Sequence, residues 1–140
     1  MAIATRTLRD TVVNASGAGG KVTVLITFDD STASNTNVLD ASGLDGHANG
    51  AMLDITRLWW GISGGKDDDD KNWAFLEFVG ASSDTLAINI AGSGHYDGTA
   101  GTIDNNATNT TATSGDMEIS CRGASGFILM ELRKDVNFTS

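Results

Sequence analysis

Ser93, His95 and Asp97 fall within five residues of one another and are the residue types of a nucleophile, a general base and its orienting acid. Alternation along an extended segment would aim all three side chains the same way, whereas a triad needs converging side chains and an oxyanion hole. Gly61, Ser63 and Gly65 match the G-x-S-x-G pattern, which places a serine on a sharp strand-to-helix turn. This segment runs instead into Lys66, Asp67, Asp68, Asp69, Asp70 and Lys71, which cannot open a packed helix, so a glycine-rich turn is expected. His47 is the only other histidine, and both histidines are expected in solvated loops. The sequence therefore predicts no catalytic residue and no enzyme.

Metal chemistry is expected to be equally sparse. Asp67, Asp68, Asp69 and Asp70 offer the carboxylate oxygens that calcium takes, but consecutive aspartates do not converge as spaced loop ligands do. Asp40, Asp45 and Asn49 in DASGLDGHANG fare little better. A solvated acidic loop is the plainer expectation for DDDDK, whose match to an enteropeptidase site is taken as coincidence. Cys121, the single cysteine, excludes an intramolecular disulfide and leaves no cysteine cluster for zinc. It alternates with Met117 and Ile119 and is expected to be a buried apolar residue. No metal or cofactor is predicted. Asn14, Asn106, Asn109 and Asn137 open N-x-[ST] sequons, attributed to composition because MAIATRTLRD has no apolar signal-peptide core.

Trp59, Trp60 and Trp73 remain. Tryptophan can be plain core, an anchor at a protein interface, or a stacking platform for a sugar ring. The first segment carries Arg6 and Arg9, two of nine basic residues against 18 acidic ones. These five residues, Arg6, Arg9, Trp59, Trp60 and Trp73, are the candidates for a partner or subunit interface.

The elements that must position them follow from composition. At 140 residues the chain has the size of one domain, 1–140. Its net charge of −9 argues against nucleic acid and anionic membrane surfaces as partners. No apolar run approaches the roughly 20 residues of a spanning helix. Proline is absent, and Gly, Ser, Thr and Asn supply 55 of the residues, a mixture poor for helices and suited to strands joined by turns. The class expected is all-β: a two-sheet β-sandwich of seven to nine short strands, with the jelly roll as a candidate topology.

Strands are expected near 4–13, with Leu8 and Val12 or Val13 inward, at 21–28 (KVTVLITF), at 38–39, and at 51–62. Others are expected at 72–79, 85–90, 102–103, 117–121 and 127–133. Residues 1–12 are a candidate extended arm, 29–37 a polar loop, 64–71 a loop or hairpin tip, and 92–115 a long polar loop. Large apolar groups on both faces of 53–60 and 73–79 suggest a second buried surface, such as a subunit interface.

From residue 38 onward the order of segments resembles small virion structural proteins of tailed bacteriophages. The similarity is carried by VLDASGLDGHANGAMLDITRLWWGISGG and WAFLEFVGASSDTLAINIAGSG, then by NNATNTTATSGDMEIS and ILMELRKD. The resemblance implies a β-rich capsid decoration or cement protein without chemistry of its own. It would be made in the host cytoplasm and carried on the capsid surface, bound to the major capsid protein or other virion subunits. A homo-oligomer is expected, with a trimer favoured because shells offer threefold sites. The alternative is a glycan-binding β-sandwich at a tail-fibre tip or in a lectin-like module.

Overall fold

The computed structural model describes residues 2–12, 19–64 and 73–138. Among the described residues seven strands form: β1 (Ala2–Asp10), β2 (Lys21–Leu39), β3 (Leu53–Gly64), β4 (Trp73–Phe78), β5 (Thr85–Ala91), β6 (Ser93–Tyr96) and β7 (Met117–Lys134). A single turn of 3-10 helix spans Ala41–Gly43, capped by the Asp40 carboxylate. The protein is all-β, as its composition predicts. Two strands are not short, however: β2 has 19 residues and β7 has 18.

All pairings are antiparallel, and the seven strands occupy five lanes. β1 pairs with β2, and β2 pairs with β7 along almost its whole length. The other edge of β7 is shared. β3 takes its C-terminal part, ending with Gly64 opposite Ala124, and β4 takes the rest, starting with Trp73 opposite Arg122. β3 and β4 therefore run end to end and do not pair with each other, which corrects the expectation of a hairpin tip. Residues 65–72, including the aspartate run, lie outside the described residues. β6 and β5 form the fifth lane, against β3 and β4 respectively, with a step at Gly92 (φ 62°) between them.

The sheet is doubled over. On β7 the partner of Ile55 is Leu132 and the partner of Phe78 is Met117, fifteen positions away, a separation of about 50 Å in a straight strand. Yet Ile103 bonds both ways to the Ile55 backbone, and the carbonyl of Thr108 accepts from Ala81, just past β4. Five residues reach about 18 Å at most, so the two ends of this lane must be folded toward each other. The resulting halves are the two layers of the sandwich.

The fold-over has a local cause. β2 and β7 match residue for residue from Val22 opposite Leu132 to Phe28 opposite Gly126. Beyond that the register slips between Phe28 and Ser31, between Ser31 and Ala33, between Ala33 and Thr36, and between Asn37 and Leu39. Such slips are bulges or irregularities of the ladder, and a bulge bends the strand and sharpens its twist. Asp30 (φ 46°) and Asn35 (φ 48°) adopt the left-handed conformation there, as does Gly123 (φ 56°) on β7. Their amides are all taken by hydroxyls. Asp30 N–H donates to Ser125 Oγ (2.9 Å), Asn35 N–H to Ser120 Oγ (3.0 Å) and Gly123 N–H to Thr32 Oγ1 (3.0 Å). The polar stretch 29–37, expected to be a loop, is therefore strand throughout.

One apolar core joins both layers. The regular half supplies Val22, Val24, Ile26, Leu53, Ile55, Leu58, Ile128, Met130 and Leu132, and the bulged half Ala74, Leu76, Phe78, Met117, Ile119 and Cys121. In β7 the inward parity switches from odd to even at Gly123 and Ala124. Cys121 is buried as expected, and burial raises its thiol pKa.

The first strand departs from expectation. Its inward positions, opposite Phe28, Ile26 and Val24, are Ile3, Thr5 and Thr7, while Leu8 is 50 % exposed at an irregularity and Val12 is 42 % exposed. Val13 lies outside the described residues. The segment is an edge strand laid on β2, pinned by Lys134. That side chain is fully buried and its Nζ donates to Asp10 Oδ1 (2.5 Å), Thr11 O (2.9 Å) and Asp45 O (2.8 Å).

Candidate interaction face

The regular half has an outer face made by the alternate residues of its strands. One straight row crosses five strands as Arg6, Leu25, Leu129, Trp59 and His95, each directly opposite the next. The row on one side runs Arg9, Thr23, Glu131 and Arg57; the row on the other runs Ala4, Thr27, Phe127, Gly61 and Ser93. Leu25, Leu129 and Trp59 are half-buried, and Phe127 is 40 % exposed. Gly61 fits this arrangement, because a Cβ there would lie 3.0 Å from the Phe127 ring.

The face is also where the positive charge collects. Arg6, Arg9, Lys21, Arg57 and Arg133, five of the nine basic residues, lie at its outward positions, with Glu131 and Asp54 as the facing acids. Glu131 is clamped between Arg57 (3.1 Å) and Arg9 (3.5 Å). Burial alone would raise its pKa. The Arg57 hydrogen bond and charge, with Lys21 and Arg9, outweigh burial and hold it below the ordinary glutamate value. The Arg57 guanidinium also lies over the Trp59 ring, 5.6 Å from its centre. Arg6 makes no salt bridge with a described residue. The arrangement is an apolar strip bordered by arginines, of which Arg9, Arg57 and Arg133 are already paired with acids, on a chain of net charge −9.

The candidate interface residues thus separate. Arg6, Arg9 and Trp59 share this face. Trp60 points to the core side, opposite Ile128, and its Nε1–H donates to Ala91 O (3.3 Å). Gly94 makes room for its indole, since a Cβ there would come within 2.7 Å. Trp60 therefore joins β3 to the β5–β6 lane. Trp73 faces outward on the bulged half, its ring stacked on Phe75 at 5.7 Å. Sequence reasoning missed Leu25, Leu129, Phe127 and Arg57. The available signal was FILMELR, where Ile128, Met130 and Leu132 form a wholly apolar inward set and the outward set joins Phe127 and Leu129 to Glu131 and Arg133.

Side chains with catalytic potential do not assemble. Ser63 sits in β3, opposite Ser125, with its hydroxyl donating to the Ser125 carbonyl, so it is on a strand and not on an elbow turn. Ser93 and His95 are exposed on β6, a strand within the stretch 92–115 expected to be a long loop, and Asp97 caps its own turn through Thr99 N–H (2.9 Å). His47 is half-buried, not a solvated loop residue: its Nε2–H donates to Ser114 O (2.8 Å) and its ring meets Phe138 edge-on. Asp40 is spent on the Ser42 amide and hydroxyl, and the Asp45 amide donates to Asp10. Among the described residues no three His, Cys, Asp or Glu are grouped to hold a metal ion. The Asn109 sequon is 3 % exposed, with its amide bonded to Val79 O and Thr113 Oγ1, so it is closed to modification in the folded protein. No helix among the described residues is long and apolar enough to cross a membrane. Comparison with protein-family models, with curated proteins and with solved structures found no match.

Proposed function

We propose that this protein is a non-enzymatic assembly protein whose regular-half outer face docks onto an acidic protein surface. In the setting that the segment order suggests, it is a decoration or cement protein of a bacteriophage shell. The observation that carries the reading is the concentration of five basic residues around the Leu25, Leu129, Trp59 and Phe127 strip. Aromatic and arginine side chains dominate the energetics of protein interfaces. Pre-paired arginines reduce the ordering cost of association. A protein that binds only the assembled lattice stabilises that lattice by mass action, and the partners are then the major capsid protein or neighbouring virion subunits. Copies would assemble with one another, a trimer matching threefold positions of a shell.

The test is copy-number mass spectrometry on density-banded particles, followed by rebinding of purified protein to stripped particles. Hundreds of copies per particle, with rebinding lost in Arg6→Glu and Trp59→Ala and weakened as salt rises, are expected. Absence from particles, or rebinding indifferent to both substitutions, overturns the reading. Removing residues 1–10 is a poorer test, because it also deletes the Asp10 carboxylate that neutralises buried Lys134.

A further inference from the structure

The bulged half carries a second, separate surface. Where β2 bows away from β7, between the left-handed residues Asp30 and Asn35, a groove of about 440 Å³ opens on the outer side of the sheet. One wall is Trp73 and Phe75 on β4, stacked nearly parallel. Thr32 and Ser34 on β2 form the other, and Ser120 and Arg122 on β7 complete the lining. Arg122 lies directly opposite Trp73, is exposed, and makes no ion pair with a described residue.

We propose that this groove binds an acidic saccharide, a hexuronate residue within a polysaccharide chain. A pyranose ring presents C–H groups on its faces and hydroxyls around its edge. The aromatic wall suits the first, and hydroxyl side chains suit the second. The Arg122 guanidinium, which no described residue pairs, suits a carboxylate, which it can hold through two parallel hydrogen bonds. Beside two aromatic rings it is complementary to an anionic ligand with an apolar face. The floor of the groove is rigid: the Ser120 hydroxyl accepts the Asn35 amide and the Thr32 hydroxyl accepts the Gly123 amide. Thr32 retains its own proton to donate to a ligand. The site lies on the other half from the arginine-rich face, so the failure of either reading leaves the other standing.

The experiment is isothermal titration of the intact protein with trigalacturonate and, separately, with neutral maltotriose. Saturable binding of trigalacturonate is expected, weakened about tenfold or more in Arg122→Gln and in Trp73→Ala. Maltotriose is expected to bind at least about tenfold more weakly. Arg122 is exposed, so its substitution tests the site even if Trp73→Ala fails to fold. No saturable heat at millimolar trigalacturonate, unchanged affinity in Arg122→Gln, or equal binding of maltotriose each overturns the proposal.

Discussion

The two halves of the doubled sheet use the same strands, β2 and β7, in different ways. In the regular half the ladder from Val22 to Phe28 is unbroken, inward and outward residues alternate strictly, and the outer face is a flat array of rows. In the bulged half the same two strands slip four times, and serine and threonine hydroxyls take three of the amides freed there. The regular half thus gains a broad docking surface, and the bulged half gains curvature and a groove. A backbone donor removed from the ladder must still be satisfied, and this chain satisfies it from its abundant Ser and Thr. The hydroxyl-rich composition that makes 29–37 look like a loop is what allows it to remain strand while bending.

The largest effect is expected where the regular half is locked. Asp10→Ala leaves the fully buried Lys134 ammonium with two carbonyls and no counter-charge. Breaking a buried pair from one side costs about 3–5 kcal/mol, and a fall of that order in urea stability is expected. Lys134→Met, which removes the charge itself and keeps an apolar stem over Phe138, should cost clearly less. Equal losses in the two variants would mean that the ion pair is not what pins β1.

The next effects separate the bulges from each other. Ser120 is 6 % exposed and its hydroxyl serves Asn35 in a part-buried bond, whereas the Ser125 bond to Asp30 is exposed. Ser120→Ala should therefore cost about 1 kcal/mol, the worth of a part-buried hydrogen bond, while Ser125→Ala should cost less than about 0.5 kcal/mol because water replaces the hydroxyl. Urea midpoints of the two variants decide it. If Ser125→Ala were the more damaging, the fold-over would be controlled at Asp30 and not at the groove.

How much of this was legible follows the same division. KVTVLITF and FILMELR announce their strands because an unbroken ladder imposes a period of two. In FILMELR only Ile128, Met130 and Leu132 form a wholly apolar set, the other carrying Glu131 and Arg133, and pairing with Ile26, Val24 and Val22 agrees with that parity. Leu8 was misplaced because the irregularity between Thr7 and Arg9 shifts its parity, and no residue type marks that shift. Trp59 and Trp60 are adjacent, so one must leave the core, but choosing between them requires the partner strand. The Arg122 and Phe75 groove was not legible at all. It exists because β2 bows, and the bow is set by two non-glycine residues whose left-handed conformation a sequence does not display.

The smallest effect concerns charge on the bulged half. Glu77 and Glu118 stand directly opposite on β4 and β7, with Asp84 in the following turn. Burial, then the Asp84 hydrogen bond and charge, with Glu77 and Asp116, push the Glu118 carboxyl from 4.5 up to about 7. Below about pH 4.5 the group is protonated whether the chain is folded or not. Between about 4.5 and 7 the unfolded chain has released its proton and the folded one retains it, so stability falls as pH rises through that window and levels off above it. Glu118→Gln removes this dependence. It should raise the Tm by on the order of 3 °C at pH 8 and leave it nearly unchanged at pH 4.5. The regular half offers the opposite case: Glu131, held ionised by Arg57 and Arg9, loses its contribution as pH falls through its depressed pKa. Glu131→Gln should therefore destabilise at pH 8 and matter least in acid. Two glutamates on one strand, β7, would then respond to the same substitution with opposite signs. A common sign at pH 8 would show that the two halves do not differ electrostatically in the way their neighbours require.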